Sequence, residues 1–247
     1  MMAVLEWGTF VVCCAVLLLR VPDAVRGRNR TVFGILLLAT LCSLLAVSGP
    51  YEAIDRALGG WNITHLILRY LVFAAVLLVG LRITKGLGAT RGYRLMAGRP
   101  GRWALGVSCL AVAAIFILMD TQGSSSGLLD LRDSGGRNAV LAPFYAAAGR
   151  TYPAFVSVIL MPPLLDAIRS QLPPLIRAGA VATLLGAVAV VLSVPASFAP
   201  PAWALGQHLA NYSAGLGYVL GLALFWFAGL IAQPRGTTGA TIRKKSE

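Results

Sequence analysis

Long apolar segments separated by short polar ones dominate this sequence. An α-helix needs about 20 residues, at ~1.5 Å per residue, to cross the hydrocarbon core of a bilayer, and most of the apolar segments approach or exceed that length. We therefore predict seven transmembrane helices, over residues 3–19, 31–48, 62–82, 103–120, 142–168, 178–194 and 208–231. The predicted fold is an all-α integral membrane protein, with a seven-transmembrane-helix bundle in residues 1–232 and a basic tail in residues 233–247.

The composition supports the membrane assignment. Of the 247 residues, 57% are hydrophobic and only 12% are charged, whereas a soluble domain carries roughly 25% charged residues. The charged residues also cluster between the apolar segments, as they do in multi-pass membrane proteins.

The distribution of basic residues predicts an orientation. Sixteen of the 21 Lys and Arg residues fall in the segments that the seven helices place on one side. Because cytoplasmic loops are enriched in Lys and Arg, the N-terminus is predicted outside and the C-terminus inside the plasma membrane. The net charge of +12 is then a topology signal and not a sign of nucleic-acid binding. It favours anionic lipid headgroups at the cytoplasmic face.

One stretch, residues 49–84, combines polar and apolar character. It begins as a polar loop with Glu52 and Asp55 and continues as an apolar run with polar residues in its first turns. Asn62, His65 and Arg69 are spaced i, i+3 and i+7, so they share one helical face. An arginine at that depth is expected to face other protein or a water-filled cavity, because exposure to lipid is costly.

Polar residues on other predicted helices enter from the same outer side, and together they predict an exterior ligand-binding pocket. Its candidate residues are Asn62, His65, Arg69, Asp120, Arg150, His208, Asn211 and Tyr212. Asp120 is the expected partner of Arg69, with Glu52 and Asp55 as alternates. Arg69 and Arg150 are predicted not to face lipid together. Two other interpretations remain open: side chains that snorkel to the headgroups, or a buried network that holds helices together.

Two further patterns concern helix structure. Ser213, Gly217 and Gly221 form a stripe of small residues at spacing four, which lets helix backbones approach closely within the bundle or between two copies of the chain. The predicted helix 142–168 contains several prolines, and we expect one transmembrane element bent near Pro153 or Pro162.

Motifs for catalysis or metal binding are missing from the sequence. It has no P-loop, HExxH or CxxC pattern and only two histidines, and its one GxSxG match, residues 123–127, lies in a run of Gly and Ser. We therefore predict no enzymatic activity, no metal and no cofactor. The favoured function is a sensor, receptor-like or partner-binding subunit. The alternative is a small-solute or ion transporter or channel. Besides the bilayer, a protein partner or a second copy of the chain remains open.

Several short motifs resemble a group of uncharacterised actinobacterial membrane proteins that carry a transporter label. The motifs are Gly49-Pro50-Tyr51, Ile54-Asp55, Leu58-Gly59, Asn62, Leu165-Asp166 and Pro174-Leu175-Ile176-Arg177. The resemblance covers most of the seven-helix region and implies a multi-pass membrane domain. Members of that group continue into a long cytoplasmic domain, whereas this sequence ends at Glu247.

Overall fold

The computed structural model describes residues 2–27, 30–119, 136–200 and 203–232. Within those ranges the chain forms helices and no strand. The helices are α1 (Met2–Val25), α2 (Arg30–Ala46), α3 (Ser48–Ala57), α4 (Ile63–Gly86), α5 (Thr90–Ala97), α6 (Arg99–Leu118), α7 (Gly136–Arg169), α8 (Pro174–Ala196) and α9 (Ala204–Ala232). The all-α class predicted from the sequence is therefore confirmed for this part of the chain.

In the described ranges, four helices are long and apolar enough to cross a membrane, namely α4, α6, α7 and α8. The count becomes five if α2 and α3, which meet at an angle of 88°, form one bent span. Shorter apolar segments lie in α1 (Phe10–Pro22) and in α9 (Ser213–Gly229). By length and composition, this is an integral membrane protein with several spans.

The polar loop predicted at the start of residues 49–84 is wrong in part, because α3 occupies most of it. Pro50 lies in the first turn of α3, where a missing backbone N–H costs nothing, and it cannot extend α2. Tyr51 and Asp55, four residues apart, share one face of α3 and are buried, while Glu52 and Arg56 are exposed. The segment is an amphipathic helix, and its charged residues led to the prediction of a loop.

The basic segment between α4 and α6 was also predicted as a loop and contains a helix, α5. Its buried face is Gly92 and Met96, spaced four residues apart. A Cβ atom at position 92 would lie 3.2 Å from Cγ2 of Thr84 on α4 and 3.4 Å from Cγ2 of Ile159 on α7. The missing side chain of Gly92 thus lets α5 pack closely against two neighbouring helices.

Helix α7 is continuous over 34 residues although it contains Pro143, Pro153, Pro162 and Pro163. At ~1.5 Å per residue it is about 50 Å long, which exceeds the ~30 Å hydrocarbon core. It contributes the centre of the hydrophobic core: Tyr152, Val156 and Leu160 are at most 1% exposed and pack with Phe73 of α4 and Val112 of α6.

Helices α8 and α9 make the most extensive helix pair, and α8 also packs along α7. A Cβ atom at Gly217 would lie 2.6 Å from Cα of Gly186 and 2.7 Å from the carbonyl oxygen of Ala182. One at Gly221 would overlap the hydroxyl of Thr183. In this structure, Gly217 and Gly221 of the predicted small-residue stripe therefore face α8 inside the chain, while Ser213 is exposed.

Candidate functional site

The site begins at the junction between α3 and α4. Asn62 adopts the left-handed backbone conformation (φ 55°), which asparagine tolerates better than most residues. Its backbone N–H donates to Oδ2 of Asp55 (3.1 Å), and that of Thr64 donates to Oδ1 of Asp55 (3.3 Å). The carboxylate of Asp55 thus satisfies two N–H groups at the start of α4, where a negative charge also complements the helix dipole.

The side chain of Asn62 belongs to the same junction. The hydroxyl of Tyr51 donates to Oδ1 of Asn62 (3.0 Å), and the Tyr51, Asp55 and Asn62 side chains are at most 1% exposed. Asn62 was predicted from the sequence as a ligand-binding residue. In the structure, Asn62 and Asp55 connect two helices at a tight turn, and the ligand-binding role of Asn62 stays a prediction.

One residue after Thr64, His65 begins a contact between α4 and α7. Its Nδ1 atom lies 3.1 Å from the hydroxyl of Tyr145, and the two ring centroids are 5.6 Å apart. Both residues are buried. Since Nδ1 and the phenol each have hydrogen-bonding capacity, this bond satisfies a polar atom of each helix inside the bundle.

One turn further along, Arg69 packs against α7 next to the same tyrosine. Its guanidinium carbon lies 5.7 Å from the centroid of the Tyr145 ring, within the range of a cation–π interaction. A Cβ atom at Gly149 would lie 3.0 Å from Nε, Cζ and Nη1 of Arg69. The guanidinium therefore occupies the space that a side chain at position 149 would need.

The Nε atom of Arg69 is inaccessible to solvent, and no group in the described part of the chain accepts a hydrogen bond from it. A buried donor without an acceptor costs about 1–3 kcal/mol, and more when it is charged. Pro153 has no N–H to donate to the carbonyl of Gly149, four residues before it. This carbonyl therefore lacks its usual helical hydrogen bond and makes α7 polar at this point. We call His65, Arg69, Tyr145 and Gly149 the α4–α7 polar contact.

Sequence reasoning found the α4 half of this contact and missed the α7 half. His65 and Arg69 are four residues apart, and so are Tyr145 and Gly149, so each pair lies on one face of its own helix. The signal was therefore present in the sequence as two matching spacings. Neither Tyr145 nor Gly149 was selected, because an aromatic residue and a glycine are common in any membrane helix.

Arg150 follows Gly149 on α7 and points to another neighbour. Its Nη1 atom donates to the hydroxyl of Ser197, at the end of α8, and that hydroxyl donates to the carbonyl of Ser193 (3.0 Å). Both Arg69 and Arg150 therefore contact protein, in agreement with the prediction that they do not face lipid together. They do so through different helices.

The remaining predicted site residues cannot be placed in this contact. Asp120, the expected partner of Arg69, lies outside the described residues. His208, Asn211 and Tyr212 belong to α9, but their side chains also lie outside the described part of the chain. These four residues stay sequence predictions. Among the described residues, no group of three or more His, Cys, Asp and Glu side chains could hold a metal ion.

No protein-family model, curated protein or solved structure matches this chain. The resemblance to actinobacterial membrane proteins stays a prediction from the short motifs.

Proposed function

We propose that this chain is a non-enzymatic, receptor-like subunit of the plasma membrane that binds an anionic group at the α4–α7 polar contact. The observation that carries the proposal is the buried Nε of Arg69, which has no hydrogen-bond partner among the residues that the structure describes. Arginines within membrane helices are costly and are characteristic of functional sites. A carboxylate or phosphate of a ligand would accept hydrogen bonds from Nε and from a second guanidinium nitrogen, in the bidentate geometry that arginine favours.

Three features of the contact suit such a ligand. Gly149 makes room for the guanidinium itself, Tyr145 fixes its position through the ring face, and His65 fixes Tyr145 through its hydroxyl. The positioned arginine would then lose less side-chain entropy on binding than a mobile one.

A substitution that keeps the charge and removes Nε tests the proposal. We expect native mass spectra of the protein, extracted in mild detergent, to show an anionic small molecule that the Arg69→Lys variant loses. Arg82→Lys, at an exposed position on the same helix, is the matched control and should retain the bound species. Equal retention by both variants, or no anionic species on the wild type, would contradict the proposal.

The proposed arrangement in the membrane is seven crossings, with the N-terminus outside and the C-terminus inside. The four long spans, the bent α2–α3 pair and the apolar parts of α1 and α9 together supply that number of segments. The asymmetric distribution of Lys and Arg supports the orientation.

Cysteine labelling with a membrane-impermeant reagent tests this topology. In a background without the four native cysteines, Ser125→Cys should react from the outside and Arg91→Cys only after the membrane is opened. Arg91 is exposed on α5, whereas the neighbouring Gly92 is buried. Outside labelling of position 91 would contradict the orientation.

A transporter is the second candidate, and the α2–α3 bend favours it. Discontinuous helices near a buried polar group are a recurrent feature of transporter sites, and the second half of this pair carries the buried Asp55. Val76 packs at the edge of the core two turns beyond Arg69, and cysteine labelling at this position distinguishes the two functions. A cysteine there should react from both sides in a transporter and from neither in a receptor.

A further inference from the structure

A cavity lies at the opposite end of α4 from the polar contact. It has a volume of about 500 Å³ and is formed where α4 ends and α5 begins. The residues that line it are Thr84, Lys85, Gly88, Thr90, Tyr93 and Arg94. None of these belongs to the α4–α7 polar contact, so the cavity requires an explanation of its own.

The turn between the two helices holds the cavity open. Gly88 has a positive φ of 69°, which a residue with a side chain rarely adopts. The N–H of Ala89 donates to the carbonyl of Thr84 (2.8 Å), and the N–H of Thr90 donates to that of Gly88 (2.9 Å). Nothing lies within 4 Å of where a Cβ atom of Gly88 would be. The chain therefore reverses tightly and leaves space on its outer side.

Helix α5 is held in place by its buried face, which positions its polar face at the cavity. Gly92 packs on α4 and α7, and the sulfur of Met96 lies beside Gly80 of α4. Tyr93 and Arg94 follow on the exposed side of the same helix. The cavity wall is thus a fixed part of the fold and not a loose surface loop.

The surface of the cavity is mainly apolar, and the polar groups among its lining residues are basic side chains and hydroxyls. Lys85 and Arg94 are exposed, and Thr90 and Tyr93 add hydroxyl groups. The sequence contains no acidic residue between Asp55 and Asp120, so the segment that forms the cavity contributes no negative charge to it. A group with several anionic oxygens suits this combination of ammonium, guanidinium and hydroxyl groups.

The position of the cavity identifies the source of such a group. The apolar span of α4 ends at Lys85 and Gly86, and the two helices that follow it carry exposed aromatic and aliphatic side chains: Tyr93 is 41% exposed, Leu95 38% and Trp103 73%. Exposed aromatic residues beside basic ones are typical of the membrane–water interface. We propose that the cavity binds the phosphate of an anionic phospholipid, whose acyl chains lie along the neighbouring apolar surface.

Removal of the two lining charges tests the proposal on the full-length protein in detergent. Dioctanoyl phosphatidylglycerol should bind with a measurable Kd by thermophoresis, and dioctanoyl phosphatidylcholine should bind much more weakly. A basic residue near an anionic headgroup contributes about 1 kcal/mol, or roughly fivefold in affinity. We therefore expect Lys85→Gln/Arg94→Gln to weaken binding of the anionic lipid about thirtyfold.

The matched control is Arg99→Gln/Arg102→Gln, which removes two exposed charges from the same end of the bundle but none from the cavity. Less than about a fivefold loss in this control supports a defined site, and an equal loss in both variants overturns it in favour of diffuse surface attraction. Inorganic phosphate distinguishes the sources of the ligand. Competition by phosphate at concentrations comparable to those of the lipid would overturn the lipid assignment and leave a soluble phosphate site.

Discussion

Two helix pairs in this protein use glycine in different ways. In the α8–α9 pair, Gly217 faces the backbone of Ala182 and Gly186, so the space left by the missing side chain is filled by another helix. In the α4–α7 pair, Gly149 faces the guanidinium of Arg69, so the same kind of space is filled by a charged group. One contact is apolar and close, and the other is polar and has an unpartnered donor.

The comparison shows that a small residue in a membrane helix does not by itself indicate packing. Close backbone approach stabilises a helix pair through van der Waals contact and needs no further partner. A guanidinium inside the bundle has to be compensated, and Tyr145 supplies only part of that compensation. The α8–α9 pair therefore has a structural role, whereas the α4–α7 pair is where a ligand would improve the energetics.

The largest expected effect belongs to the close pair. Gly217→Val places two methyl groups where α8 runs, so the helices must separate, and we expect a loss of about 1–3 kcal/mol in unfolding free energy. Gly215→Val, on the open side of the same helix, carries the same β-branched penalty without the clash. Thermal unfolding in detergent measures both. Equal midpoints for the two variants would show that α8 and α9 are not in close contact.

A smaller effect is expected at the hydroxyl groups of the polar contact. Tyr145→Phe removes the partner of His65 Nδ1 and should destabilise the protein by about 0.5–2 kcal/mol. Tyr152→Phe is the control on the same helix, because the hydroxyl of Tyr152 is buried and has no partner in the described ranges. Its removal should leave the unfolding midpoint unchanged or raise it. The reverse order of the two midpoints would contradict the hydrogen bond between α4 and α7.

The smallest change in stability, and the most informative for function, is expected at Gly149. An alanine in a helix interior gains about 0.5–1 kcal/mol over glycine, and Gly106→Ala, with open space around it, should show that gain. At Gly149 the new methyl group must displace the guanidinium of Arg69 by a few tenths of an ångström, which should cancel most of the gain. The anionic ligand should also be retained less well. A full gain in stability with unchanged retention would remove the basis for the proposed site.

The membrane class could be predicted from the sequence because it depends on properties of single segments. The apolar run from Ile63 is long enough to span a bilayer whatever lies beside it, and the spacing of His65 and Arg69 places them on one face of any helix. The short helices α3 and α5 were missed because each is amphipathic and lies in a charged segment. Their buried faces are two residues each, which is too little for a hydropathy pattern to register.

The sequence by itself determined the apolar segments, the basic clusters between them and the polar face of α4. The reason is that helix geometry and the transfer of apolar side chains from water to the bilayer depend on residues that are close together in the chain. Only the tertiary structure decided which groups meet across helices. His65 and Tyr145 are separated by 80 positions in the chain, and no pattern among neighbouring residues relates positions so far apart. The same holds for Asn62, which became part of a helix junction, and for Gly149, whose role depends on the atoms opposite to it. Packing between helices sets those neighbours, so the chemistry of the site appears only when the chain is folded.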